Sequence, residues 1–181
     1  MSADLTVVND RESLVAALRE RGLDYLAPSD ARGEAITDAA LIASLAANSD
    51  SRLRQALIGL FLLRPDLALL VPGLQPALDA AAQIELVAHY LAAVYLQTMW
   101  SVRLSHYGAP ATALPDFFTE QLALPAPDEG YGKVGLYALA DWHAAHSPGR
   151  ANHLAEYENA ADLLFASLKS KARRRVAAPA G

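Results

Sequence analysis

At 181 residues the chain has the length of one ordinary domain, and a net charge of −5 argues against nucleic-acid binding over its whole surface. Alanine and leucine supply 38 and 30 residues against 18 of valine, isoleucine and threonine together, too few β-branched side chains to cover a sheet. With no cysteine, disulfide scaffolds and thiol catalysis are excluded, and 53% hydrophobic residues is too many for a disordered chain. The expected fold class is all-α: an irregular bundle of about six to seven helices around a long central helix (about 76–107), in a single domain spanning 1–181.

Residues 1–9 read as an N-terminal arm, extended over Asp4 to Val8. The start, MSADLTVVND, has no basic segment followed by an apolar one, so no signal peptide is expected and the cytoplasm is the expected location. Asn9 or Asp10 caps a first helix with Leu14, Ala17 and Leu18 on its apolar stripe, and Gly22 stops it. A second helix is predicted over Glu34 to Ala47. A third follows over Ser51 to Leu63, capped from Asn48-Ser49-Asp50, and Pro65 starts a short fourth over Pro65 to Leu70.

Pro72-Gly73 is read as a break. From Pro76 to Tyr107 no glycine or proline intervenes after the first position, which allows one helix about 45 Å long. Its apolar residues cover more than one face, so Leu91 and Trp100 are expected in the core. The longest uncharged run, Leu86 to Val102, is 17 residues with Gln97, Thr98 and Ser101 in it, too short and too polar for a membrane span.

Residues 108–133 form a Pro/Gly-rich loop region, interrupted by a predicted short helix over Pro115 to Leu122. Its adjacent Phe117 and Phe118 diverge by about 100° on a helix, so one is expected to pack inward and the other to face solvent or a partner. Helices over Val134 to His146 and Asn152 to about Arg173 complete the chain, with 176–181 as a frayed tail.

Within residues 38–63 the text LIASLAANSDSRLRQALIGLFL resembles one HEAT-type helical hairpin: an apolar helix, Asp50 in the turn, then the apolar-Arg pair Leu53-Arg54 opening a second helix. Ala56 sits one place earlier than the usual small residue. The resemblance covers about 25 residues and implies a helical interaction scaffold with no chemistry attached.

Candidate chemistry is sparse. GYGKVG (Gly130 to Gly135) matches G-x-G-x-x-G, but a proline-rich acidic loop precedes it where the dinucleotide motif needs a strand; glycines easing a loop into a helix explain it better. Lys133 at that helix start is a candidate anion or partner contact. His143 and His146 at i, i+3, with His153 and Glu156 on the next helix, form an alternative metal set, which Glu85 and His89 extend. Arg103 with His106 is a further i, i+3 pair of the kind catalysis uses, and solvation is its ordinary explanation.

Five of the 15 cations are Lys169, Lys171, Arg173, Arg174 and Arg175, leaving ten bases against twenty acids in the body. Such a tail complements a helix dipole, or contacts nucleic acid or an acidic partner. The leading expectation is a non-catalytic interaction subunit (regulatory, adaptor or antitoxin-like) of a bacterial complex. It would need no cofactor or catalytic residue, would bind another protein or itself, and would use Phe117, Phe118, Tyr131 and Lys133. The alternatives are a metal-dependent helical-bundle enzyme using the histidine cluster, and a nucleic-acid-associated factor acting through Arg173 to Arg175.

Overall fold

Alternate satisfaction of helix ends by short polar side chains organises the first half of the chain. Asp10, Thr37, Asp50 and Asp79 each accept a hydrogen bond from a backbone N–H in the first turn of the helix that follows. The computed structural model describes residues 6–26, 35–147, 149 and 151–177. Among these it contains eight α-helices and no strand, the all-α class expected from composition. They are α1 (Arg11–Glu20), α2 (Asp38–Ala46), α3 (Ser51–Leu63), α4 (Val71–Leu74), α5 (Ala80–Met99), α6 (Ser101–His106), α7 (Lys133–His146) and α8 (His153–Ala177).

The centre is α5, where every residue from Leu86 through Leu96 is buried. It packs on α3 and α7 most extensively, and α8 closes the bundle against α3 and α7. In α3 the unbroken run Gln55 to Leu62 is buried as well. Helices apolar on all sides belong at the middle of a bundle, which is where these two sit. No single helix among the described residues is long and apolar enough to cross a membrane; α3 and the Pro65–Ala77 stretch pass that test only as a pair bent by 112°.

Several expected boundaries differ. The second helix starts at Asp38, because the Thr37 hydroxyl accepts from Ala40 N–H and caps it there; Glu34 lies outside the described residues. Pro65–Leu70 is a 3-10 helix, and Pro72-Gly73 sits inside the short α4 instead of breaking the chain, with proline at a first-turn position that needs no N–H. The single long helix expected over 76–107 starts instead at Ala80, capped by Asp79, and is divided at Trp100 (φ −113°, ψ 18°) into α5 and α6. Thr98 Oγ1 bonds back to the Val94 carbonyl just before the bend, a contact that competes with the helical ladder. Trp100 is accordingly 37% exposed, contrary to the expectation of a core position, whereas Leu91 is fully buried. Arg173 does not end the last helix, which continues to Ala177; residues 178–181 of the expected tail lie outside the described residues.

The largest correction concerns Pro115 to Leu122, which forms turns and not a helix. The Asp116 side chain accepts from the N–H groups of Phe118 and Thr119, closing a local turn in competition with a helical one. Three α5 side chains then tie this segment down. Tyr90 donates to Pro115 O (2.6 Å), Tyr95 donates to Pro125 O (2.7 Å), and Gln97 both donates to Thr112 O and accepts from Leu114 N–H. Phe118 is buried, and Phe117, half-buried, stacks on the Tyr90 ring at 5.7 Å. Both rings thus pack inward, because a turn removes the helical divergence that would have separated them.

GYGKVG serves packing. Gly132, in the left-handed region at φ +82°, passes so close to the Tyr95 carbonyl that a Cβ would overlap it, and a Cβ on Gly135 would overlap the Tyr95 ring. The glycines let α7 lie flat on α5. Gly135→Ala should therefore lower stability by about 3 kcal/mol in urea titration, an overpacking cost. Gly73→Ala, where a Cβ meets open space, should change it by less than about 1 kcal/mol. By the same titration, the cavity left by Leu91→Ala should cost about 2–5 kcal/mol.

Candidate functional site

Polar side chains from four helices meet between α3, α5, α7 and α8. Arg54 on α3 donates through Nη1 to the carbonyls of Asn48 (2.6 Å) and Ser49 (3.0 Å), which turns its Nε to within 3.1 Å of Glu85 Oε2. Glu85, near the start of α5, also accepts from Ser147 Oγ at 3.1 Å, and its Oε1 lies 3.3 Å from His143 Nε2. This last approach is off the hydrogen-bonding axis and works chiefly as charge facing a dipole. His89, one turn along α5, places Nδ1 2.7 Å from the Glu85 carbonyl oxygen and 3.6 Å from its carboxylate.

The proton positions follow from what each partner can do. A carbonyl only accepts, so His89 carries its proton on Nδ1. Glu85 also only accepts, so His143 is protonated on Nε2. Its Nδ1 then takes a hydrogen bond from the Tyr157 hydroxyl at 2.7 Å. Burial pushes the Tyr157 phenol well above its ordinary range, keeping it a donor. His153 stacks face to face on His143 with centroids 3.7 Å apart and donates from Nδ1 to Glu156 at 3.0 Å.

Burial opposes ionisation of Glu85, but the donors and cations around it (His143, His89 and Arg54) outweigh that and hold its carboxyl at about 2. For His89 burial dominates, and despite the neighbouring carboxylate the imidazole is held down at about 4. At neutral pH the group centres on one ion pair, Arg54 with Glu85, braced by the neutral His89 ring, the His143 ring and the Tyr157 phenol. His143 and Tyr157 are 1% and 0% exposed, whereas Arg54 and Glu85 keep 22% and 13% of their side-chain surface open.

The structure assembles only part of the alternative metal set. His143, His153 and Glu156 are close, but His146 turns away, stacked on Trp142 at 4.5 Å with Nδ1 2.7 Å from the Trp142 carbonyl. Stacked rings at His143 and His153 cannot aim their nitrogens at one ion. Among the described residues no group of three or more His, Asp or Glu stands where it could hold a metal. Arg54, Ser147 and Tyr157 are not among the site residues predicted from sequence. Tyr157 lies one turn after His153, and Arg54 is the arginine of the HEAT-like pattern, so both had a detectable signal.

The remaining predicted residues divide between interior and surface. Phe117 and Phe118 pack against Tyr90, Phe118 buried and Phe117 half-buried. Tyr131 is 83% exposed on a left-handed backbone (φ +57°), and Lys133 lies 5.9 Å from the Tyr137 ring. In the basic tail, Lys171 donates to Gly22 O and pairs with Asp24, and Arg174 reaches 4.0 Å from the same carboxylate. Arg103 lies over the Phe165 ring at 3.9 Å, and His106 stands edge-on to Tyr107 at 5.0 Å. These last residues border a surface that sequence reading missed. Trp100, Val102 and Tyr107 line a groove on α6 that continues past Tyr107 to Ala172 and Val176 on α8. Arg103, Lys169 and Arg173 line it too, and Val102 and Val176 are among the most exposed hydrophobic side chains.

Acid should weaken the fold in two stages. The unfolded chain protonates its His89 first, so stability falls as pH drops from about 6.5 toward 4; the Glu85 contribution, complete above about 4.5, is lost as pH falls toward 2. Denaturation midpoints at pH 7, 6 and 5 should fall, and His89→Gln should flatten that limb. At pH 7, Glu85→Gln should cost about 3 kcal/mol by leaving the Arg54 charge without its partner.

The chain matches no protein-family profile, no curated protein and no solved structure.

Proposed function

We propose that the protein is a non-catalytic interaction subunit of a bacterial complex, working in the cytoplasm as a regulatory or adaptor component. It docks an acidic segment of another protein on the groove where α6 meets the end of α8. One observation carries the reading: exposed Trp100, Val102 and Val176 and half-buried Tyr107 share one surface with the cations Arg103, Lys169 and Arg173. Large aromatic and aliphatic side chains concentrated on a surface are the usual anchors of protein interfaces. Cations beside them select a partner with acidic flanks and speed its encounter.

The same cations suit phosphate less well, because a nucleic-acid backbone laid on them would leave the apolar side chains uncovered. Lys171 and Arg174 are moreover engaged by Asp24. The buried Arg54–Glu85–His143 array favours a structural role over a catalytic one, since its imidazole and phenol are closed to solvent. Within this reading the HEAT-like α2–α3 pair contributes scaffold, and Tyr131 is a second exposed aromatic outside the groove.

A peptide assay tests the proposal. In a Trp142→Phe background Trp100 is the sole tryptophan. An amphipathic peptide with leucines at i, i+4 and glutamates on its flanks should shift Trp100 emission to the blue. Binding should weaken about tenfold between low and moderate salt and vanish in Arg103→Glu/Arg173→Glu. A peptide with lysines in place of the glutamates should not bind. Equal binding of both peptides, or preference for a duplex DNA over either, would overturn the proposal.

A further inference from the structure

A cleft of about 310 Å³ opens on another side of the molecule, between the start of α1, the chain at Tyr25-Leu26, α3 and α8. Its polar lining is Arg11, Arg52, Gln55 and Asn159. Gln55 is only 8% exposed, yet its amide makes no hydrogen bond with any described residue. Beside it the Tyr25 hydroxyl, closed to solvent, has no hydrogen-bond partner among the described residues, and folded chains seldom leave a buried polar atom unanswered. Asn159 likewise offers a free amide, and the Arg52 guanidinium has no acidic partner among the described residues. The nearby Asp50 is occupied: it accepts from the Arg52 backbone N–H and lies 3.4 Å from the Arg11 side chain.

No carboxylate lines the cleft among the described residues, and with Arg11 paired to Asp50, Arg52 is the lining cation that has no acidic partner among them. Apolar surface comes from Tyr25, Leu26, Ala160 and the 40% exposed Leu163. Together these make the usual composition of a small-molecule site: apolar walls with a few convergent polar groups. Primary amides matter particularly, because each presents a donor and an acceptor in one plane, the pattern that reads the edge of a heterocycle.

We propose that this cleft binds a small organic anion, a phosphate or carboxylate group carried on a flat unsaturated ring, up to the size of a nucleoside monophosphate. Arg52, assisted by Arg11, takes the anionic group through charge-assisted hydrogen bonds. Gln55 and Asn159 hydrogen-bond the ring edge, and Tyr25, Leu26 and Leu163 cover its faces. The site is independent of the α6–α8 groove, so either assignment stands or falls alone.

Ligand-observed NMR and calorimetry on the full chain test it, with five probes: AMP, CMP, nicotinate, neutral adenosine and inorganic phosphate. At least one ring-bearing anion should bind with Kd below about 1 mM, at least about tenfold tighter than adenosine or inorganic phosphate. Whether the nucleotides or nicotinate bind tells which anionic group the site takes. Arg52→Glu and Gln55→Leu should each weaken binding about tenfold or more, while Arg173→Glu should leave it unchanged. Should Gln55→Leu fail to fold, Asn159→Leu at the exposed wall supplies the same reading. No binding by any probe would overturn the proposal, as would inorganic phosphate binding as tightly as the ring-bearing anions. Affinity unaffected by Arg52→Glu would do the same.

Discussion

Glu85 is held ionised inside the bundle, and the relative placement of α3, α5 and α7 depends on that charge. A buried carboxylate is tolerated only when its surroundings replace the water it has lost, and here Arg54, Ser147 and His143 arrive from three different directions. Arg54 is itself oriented by two carbonyls of the α2–α3 turn. His143 is oriented by Tyr157, which carries the constraint on to α8. Apolar packing alone leaves helices free to slide; a charge with fixed donors selects one register, which is the role best attested for buried polar groups.

The second organising element is the clamp on the segment after α6. Tyr90, Tyr95 and Gln97 project from α5 and bond to backbone groups of residues 112–125, so a stretch without regular structure is ordered by side chains instead of by its own ladder. The same clamp turns Phe117 and Phe118 onto the Tyr90 ring.

Much of the architecture was legible because it follows from local chemistry. Asp50 and Asn48 marked the start of α3, and the uninterrupted apolar text of α5 marked the centre of the bundle. The errors came from side chains acting at a distance or against the helix. Thr98 bending α5, and Asp116 closing a turn before Phe117, are single hydroxyl or carboxylate choices that periodicity does not register. The histidine grouping was half visible: His143 facing His153 follows from a tight helical hairpin, but the stacking of their rings and the turning of His146 toward Trp142 depend on rotamers. Arg52 and Gln55 at i, i+3 have no distinctive spacing, and only the approach of α1 and α8 converts them into the lining of a cleft.

The contact between Tyr95 and the start of α7 sets rules for how this chain can diverge. A side chain at 132 would strike the main-chain oxygen of residue 95, which every amino acid possesses, so glycine there is demanded whatever occupies position 95. A side chain at 135 would strike the phenol ring, which a smaller residue at 95 would not have. Across related sequences, position 132 should therefore be constant on its own account, whereas 95 and 135 should vary as a pair: bulk on one helix exchanged for bulk on the other. Loss of the tyrosine would also remove the hydroxyl that holds Pro125, so each such exchange would be accompanied by a change in the loop ahead of α7.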